Sequence, residues 1–140
     1  MNKTTAFEYP GLAMGSRLFF ALAGLSALAL IALWNSFFRS VIQLENYFSA
    51  SVWHAHEMLF GYCGAVIAGL LLSAIRTELG REAALDSRYV AGLGLIWLYG
   101  RVVPFYAGLL PDFLIALIDW AFFPVLAFYL ARLLLNSRNQ

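Results

Sequence analysis

The chain of 140 residues is 62% apolar and only 12% charged, and its mean hydropathy is +0.76. This composition excludes a soluble globular domain and predicts a membrane protein. The net charge of +1 gives no reason to expect nucleic acid as a partner, and the lone Cys63 excludes an intrachain disulfide.

Long apolar runs divide the chain into four predicted transmembrane helices. A helix needs ~20 mostly apolar residues to cross a hydrocarbon core of ~30 Å. Runs of this kind occupy residues 18–35, 51–75, 89–110 and 113–135. No low-complexity linker separates them, so we predict an all-α membrane protein whose single domain covers residues 1–140.

The N-terminal part of the chain carries two further signals. Lys3 and Arg17 precede the first apolar run as in a signal peptide, but no convincing cleavage site follows, so we predict a signal anchor that stays in the protein. Residues 35–51 place aromatic and aliphatic side chains near helical spacing between polar ones. This pattern predicts an interfacial helix between the first and second membrane helices, with an amphipathic loop as the alternative.

The distribution of positive charge predicts the orientation. Of the nine Lys and Arg residues, seven fall on one side of the predicted spans, and only Arg39 and Arg101 fall towards the other. Positive loops are retained in the cytoplasm, so both termini should be cytoplasmic. The four tryptophans all map to the outer side, where indole rings prefer the membrane interface.

Both histidines of the chain lie where the second helix begins, in the sequence WHAHEMLFGY over residues 53–62. At ~100° per residue, His54 and His56 point to nearly opposite sides of a regular helix and cannot both ligate one iron atom. His54 shares its stripe with Met58 and with small residues, which leave room for a flat macrocycle or a neighbouring helix. The residues alone leave cofactor ligation and interfacial anchoring both open.

Three ionisable side chains, Glu57, Arg101 and Asp119, fall within the predicted spans and in their outer half. Each costs at least ~2.5 kcal/mol in the bilayer and therefore needs a partner or a function. One interpretation is a structural pair of Arg101 with Asp119 or Glu57. The other is that Arg101 binds an anion such as a haem propionate, while a carboxylate accepts the second N–H of a ligating imidazole. Both roles can coexist.

Other metal sites receive less support from the spacing. Cys63 follows His56 by seven residues, and imidazole and thiolate both suit copper, but two helical turns separate them by roughly 10 Å. A small apolar filler is the alternative role for Cys63. A zinc hydrolase motif is excluded, because Phe60 stands where its second histidine would be.

The sequence WHAHEMLFGY, followed by AVIAG over residues 65–69, resembles the signature of the NnrS family. These are bacterial membrane proteins that contain haem and copper and are associated with the nitric oxide response. Further parts of the chain are similar to the family: residues 15–21 (GSRLFFA), residues 97–101 (WLYGR), Asp119 and residues 123–124. Leu18 departs from the family pattern, which has a proline there, and residues 76–78 depart from its Asn-Trp-Thr segment.

The resemblance implies a multi-pass protein of the bacterial inner membrane that binds haem b and copper. It implies His54 and His56 as metal ligands but does not decide which histidine binds which cofactor. The chemistry of the side chains adds Arg101 as a haem contact, with Glu57, Met58 and Asp119 in support. Family members have more helices and more histidines than this chain. Either the chain has lost the remaining ligands, or other subunits supply them, so we expect a homo-oligomer or a larger membrane redox complex.

Two functions of different classes follow. The first is a short NnrS-like protein that binds haem, with or without copper, near the outer face in the response to nitric oxide and nitrosative stress. The alternative is a structural or assembly subunit of a terminal oxidase or nitric oxide reductase that has no cofactor of its own. A transporter or channel ranks third, since no inverted repeat is visible, and the residues give no basis for a statement about enzymatic turnover.

Overall fold

The computed structural model describes residues 10–41, 46–79 and 87–137, and within these ranges it is a bundle of helices without strands. The helices are α1 (Pro10–Phe38), α2 (Ala50–His56), α3 (Gly64–Leu79), α4 (Ser87–Val102), α5 (Asp112–Trp120) and α6 (Phe122–Ser137). A π-helical segment, Glu57–Cys63, joins α2 directly to α3. A 3-10 turn, Val103–Tyr106, follows α4.

Three helical stretches are long and apolar enough to cross a membrane: Gly15–Phe38, Ala50–Glu78 and Asp112–Asn136. They contain the first, second and fourth predicted spans, so the prediction of an all-α membrane protein is confirmed. The predicted span over residues 89–110 is not one continuous α-helix, because α4 ends at Val102 after 16 residues. Pro104 accounts for this end, since proline has no amide hydrogen and its ring displaces the carbonyl four residues earlier.

The predicted interfacial helix over residues 35–51 is wrong in the part of it that the structure describes. Residues 35–38 belong to α1 and residues 46–49 are not helical, while residues 42–45 lie outside the described residues. The side chain of Asn46 accepts a hydrogen bond from the amide of Phe48 at 3.1 Å, and the amide of Tyr47 donates to the carbonyl of Pro104 at 2.8 Å. These bonds replace the helical ones and dock the segment onto the 3-10 turn.

Small residues bring the helices close together. A Cβ atom added to Gly69 would lie 3.0 Å from the ring of Phe20 on α1, and one added to Gly64 would lie 3.0 Å from Phe123 on α6. These glycines therefore let the helices lie in close contact. The centre of the bundle contains fully or almost fully buried apolar side chains: Phe19, Ala65, Ala68, Leu72, Val90, Leu93, Trp97, Phe122 and Leu126. Trp53 and Trp97 are each only 3% exposed, so their positions reflect packing inside the protein and not contact with lipid head groups.

The outside of the bundle is apolar as well. Leu28, Leu95 and Phe128 are 66–70% exposed, an exposure that a lipid environment accommodates and that water does not favour over so large an area. Between α5 and α6 the helix is interrupted at Ala121, because Pro124 cannot donate to the carbonyl of Trp120. The interruption lies two residues after Asp119, so that carboxylate belongs to the last turn of α5.

Candidate functional site

Four ionisable side chains meet inside the bundle. They are His56 at the end of α2, Glu57 at the start of the π-helical segment, Arg101 on α4 and Asp119 on α5. Arg101 donates from Nη1 to Glu57 Oε2 at 3.1 Å and from Nη2 to Asp119 Oδ1 at 2.8 Å. His56 Nε2 lies 2.9 Å from Asp119 Oδ2, and its Nδ1 lies 3.5 Å from Glu57 Oε1. Each carboxylate thus lies between the guanidinium and the imidazole, and we call these four residues the charge cluster.

The charge cluster is almost completely shielded. Glu57 is 3% and Asp119 is 7% exposed, and the side chains of Arg101 and His56 are 10% and 12% exposed. The cluster has no net charge when His56 carries a proton on both ring nitrogens, and one negative charge when it does not. Buried ionic groups of this kind are very costly to leave without partners, so the four side chains depend on one another. The structural pairing predicted for Arg101 is confirmed, and it includes both carboxylates.

The π-helical segment shapes one side of the charge cluster. Gly61 packs against the charge cluster: a Cβ atom added to Gly61 would lie 2.7 Å from Glu57 Oε2 and 3.3 Å from Arg101 Cδ. The carbonyl of Gly61 accepts a hydrogen bond from the indole N–H of Trp97 at 3.2 Å. In a π-helical turn the regular backbone pattern is lost, and a side chain from a neighbouring helix can bond to the backbone instead. Glycine and tryptophan together let α4 lie close against this segment.

The ring of His56 is fixed on its faces as well as at its nitrogens. It stacks on Phe60 at a centroid distance of 4.5 Å and on Phe48 at 4.7 Å, with interplanar angles of 10° and 28°. A metal ion needs a free lone pair on a ring nitrogen. Nε2 of His56 lies 2.9 Å from Asp119, and Nδ1, which makes no hydrogen bond, faces Glu57 Oε1 at 3.5 Å. A metal ion at either nitrogen would therefore have to displace a carboxylate.

His54 has a different environment two residues earlier. Its ring stacks on Trp34 of α1 at 4.5 Å, and its Nδ1 is buried without a hydrogen-bond partner among the described residues. The predicted divergence of the two histidines is confirmed by these contacts, since His54 faces α1 and His56 faces α5. Nδ1 of His56 makes no hydrogen bond either, but it faces Glu57 Oε1 at 3.5 Å, whereas no described carboxylate lies within 4 Å of the His54 ring nitrogens.

The other predicted site residues contribute less to this arrangement. Met58 is 40% exposed and Cys63 is half-buried. Within the described ranges no group of three or more His, Cys, Asp or Glu side chains could hold a metal ion. Although His56 and two carboxylates converge, the cation that the carboxylates bind is the guanidinium of Arg101.

A cavity of about 240 Å³ lies beside the charge cluster, between α1 and α4. Leucines and an alanine of α1 form one wall, and Trp53, Trp97 and Phe105 line it together with Glu57 and Arg101. Sequence reasoning missed this cavity and the stacking partners of His56. The contact with Phe60 could have been predicted, since Phe60 follows His56 by four residues, the spacing at which helical side chains meet.

Comparison with known proteins identifies one relationship. The family model described as NnrS protein matches residues 10–140. No curated protein and no solved structure matches the chain significantly.

Proposed function

Because the chain belongs to the NnrS family, we propose that it is a multi-pass protein of the bacterial inner membrane that binds haem through His54. In this proposal it acts in the response to nitric oxide and nitrosative stress. The observation that carries the haem assignment is the buried Nδ1 of His54, which has neither a hydrogen-bond partner nor a carboxylate beside it among the described residues. A buried nitrogen of this kind is costly unless a ligand binds it.

We propose four membrane spans with both termini in the cytoplasm. The 16 residues of α4 cover about 24 Å, and the four residues of the 3-10 turn add about 8 Å. Together they approach the ~30 Å of a hydrocarbon core. Seven of the nine basic residues fall on the side that this orientation makes cytoplasmic, and the charge cluster then lies in the outer half of the membrane.

Among the described residues, His54 is the one that would hold a haem. His54 would supply a neutral imidazole, and Trp34, which stacks on its ring, would hold that ring in place. When bound, the haem would supply an iron atom at which a diatomic molecule can coordinate. His56 supports this position indirectly, since its contacts with Asp119 and Phe60 fix the end of α2 that carries His54.

Arg101 fits the proposed contact with a haem propionate only in part. Both of its terminal nitrogens already donate to carboxylates, and only Nε is without a partner. A propionate would have to bind there or displace a carboxylate from the charge cluster. Copper, likewise, would need donors beyond those that the described residues bring together, so we propose copper only in a homo-oligomer or a larger redox complex.

The alternative is a structural or assembly subunit of a membrane redox complex, without a cofactor of its own. The observation in its favour is that His56, Glu57, Arg101 and Asp119 satisfy one another and bind the helices together. Solubilisation in a mild detergent followed by mass measurement separates the two functions. Co-purification with large redox subunits in fixed stoichiometry supports the alternative.

The haem assignment is tested by absorption spectra of the purified chain after expression with an ample haem supply. We expect a Soret band in the wild type that is lost in His54→Ala. The matched control is His56→Gln, which should keep the Soret band, because a carboxylate lies beside each ring nitrogen of His56. A folded wild type without haem, or a His54→Ala variant with an unchanged spectrum, would refute the assignment.

A further inference from the structure

We infer that the cavity between α1 and α4 binds the ring of a membrane-dissolved quinone, a ligand distinct from haem. The cavity of about 240 Å³ exceeds the roughly 150 Å³ that suffices for a benzene molecule. It is smaller than the roughly 300–1,000 Å³ of sites for larger ligands. The cavity therefore has the size for one substituted six-membered ring and not for a macrocycle.

The polar atoms of the cavity lining indicate which functional group the bound ring has. Three buried polar atoms of lining residues make no hydrogen bond among the described residues: the donors Arg101 Nε and Trp53 Nε1, and the acceptor Glu57 Oε1, which faces His56. Trp53 is 3% exposed and the Arg101 side chain is 10% exposed, so bulk solvent does not reach them. An unpaired buried donor is costly, and the membrane interior offers no water in compensation. A ligand with a carbonyl oxygen would supply the missing acceptor.

The walls indicate that this carbonyl belongs to a flat ring. Three aromatic side chains, Trp53, Trp97 and Phe105, line the cavity near the charge cluster. Aromatic faces pack well against a planar ring, and an acyl chain with an ester group makes no comparable use of them. A quinone combines a planar ring with carbonyl oxygens that accept hydrogen bonds.

The cavity also offers a path to the bilayer. Leu25 on α1 and Leu98 on α4 belong to its lining and are 64% and 47% exposed on the outside of the bundle. In a membrane this outer surface faces lipid. An apolar tail on the ring can therefore leave the cavity between α1 and α4 and remain in the bilayer, as the isoprenoid tail of a quinone would require.

The test measures quenching of tryptophan fluorescence by a short-tailed ubiquinone added to the full chain in detergent micelles. Trp53 and Trp97 line the cavity, so we expect saturable quenching in the wild type. Ala29→Phe places a ring in the cavity wall and should weaken binding roughly tenfold. The matched control is Ala32→Phe, an exposed position one turn later that does not line the cavity, and it should leave the affinity unchanged.

Three further measurements distinguish the quinone from other occupants. Trp53→Phe keeps an aromatic ring but removes one donor, and should weaken binding about fivefold. An alkylbenzene without a carbonyl and a fatty-acid ester should each compete poorly. Equal competition by the alkylbenzene would show that no carbonyl is recognised, and equal competition by the ester would assign the cavity to lipid; either result overturns the inference. So does unsaturable quenching, or equal affinity in Ala29→Phe and Ala32→Phe. The result does not depend on haem, because the haem assignment has its own spectrum as a readout.

Discussion

His54 and His56 are two residues apart, but their imidazole rings have different contacts. The ring of His56 lies between two aromatic rings and has a carboxylate beside each nitrogen. The ring of His54 stacks on Trp34 alone and keeps a buried nitrogen without a partner. The different contacts of the two rings show that two histidines in one short motif need not form one site. In this chain His56 lies between two carboxylates, and the ligand that we propose binds at His54.

The largest loss of stability should follow from removing the guanidinium of Arg101 from the charge cluster. Arg101→Ala leaves Glu57 and Asp119 buried without their guanidinium, and breaking a buried ion pair in this way costs about 3–5 kcal/mol. Denaturant unfolding of the purified protein in detergent measures the loss. The control is Arg39→Ala at an exposed position after α1, which should change the free energy of unfolding little. Equal stability of the two variants would show that the charge cluster does not hold the bundle together.

A smaller effect is expected from filling the space beneath the charge cluster. Gly61→Ala would bring a Cβ atom to 2.7 Å from Glu57 Oε2, and overpacking of this kind costs about 1–3 kcal/mol. Gly24→Ala is the matched control, because an added Cβ there has nothing within 4 Å. Thermal unfolding of both variants should show a loss of stability in Gly61→Ala only. A loss in both, or in neither, contradicts the packing described here.

The two histidines themselves should differ in stability when each is replaced by the same residue. His56→Gln weakens the contacts with Asp119 and Glu57 and should cost about 1–3 kcal/mol. His54→Gln removes only a stacking contact with Trp34, and we expect a cost of about 0.5–1 kcal/mol. The comparison is made by denaturant unfolding of both variants without haem. The reverse order of the two losses would assign the structural role to His54.

The smallest effect concerns the backbone beneath the charge cluster. Trp97→Phe removes the donor to the carbonyl of Gly61, and the loss of one hydrogen bond costs about 0.5–1.5 kcal/mol. Trp120→Phe is the control, since Trp120 is 59% exposed. Unfolding free energies of the two variants should differ by about the cost of that one bond. No difference between them would mean that the π-helical segment does not depend on Trp97.

Much of this arrangement could be predicted from residue type and position. The apolar runs indicated the membrane helices, and the cost of an isolated charge in the bilayer indicated that Arg101 pairs with Glu57 or Asp119. The angle between side chains two residues apart indicated that His54 and His56 diverge. Each of these predictions depends on a local rule that the surroundings do not alter.

The remaining features depend on contacts between distant segments. The π-helical turn over residues 57–63 has no periodicity of its own, and it is accompanied by a bond from Trp97 that lies 36 positions later in the chain. Phe48 stacks on His56 from a segment predicted to be an interfacial helix. The end of α4 near Pro104 could have been read from the proline, but the uninterrupted apolar run favoured a longer helix. The contact between His56 and Asp119 could not be predicted, because it depends on α2 and α5 lying together in the fold.

The central claim is that His54, and not His56, is free to bind iron. Its most direct test is the haem spectrum of His54→Gly and His56→Gly measured side by side, with and without added imidazole. We expect His54→Gly to lack the Soret band and to regain it with imidazole, while His56→Gly should show the band without imidazole. A Soret band in His54→Gly without imidazole, or imidazole rescue confined to His56→Gly, would contradict it.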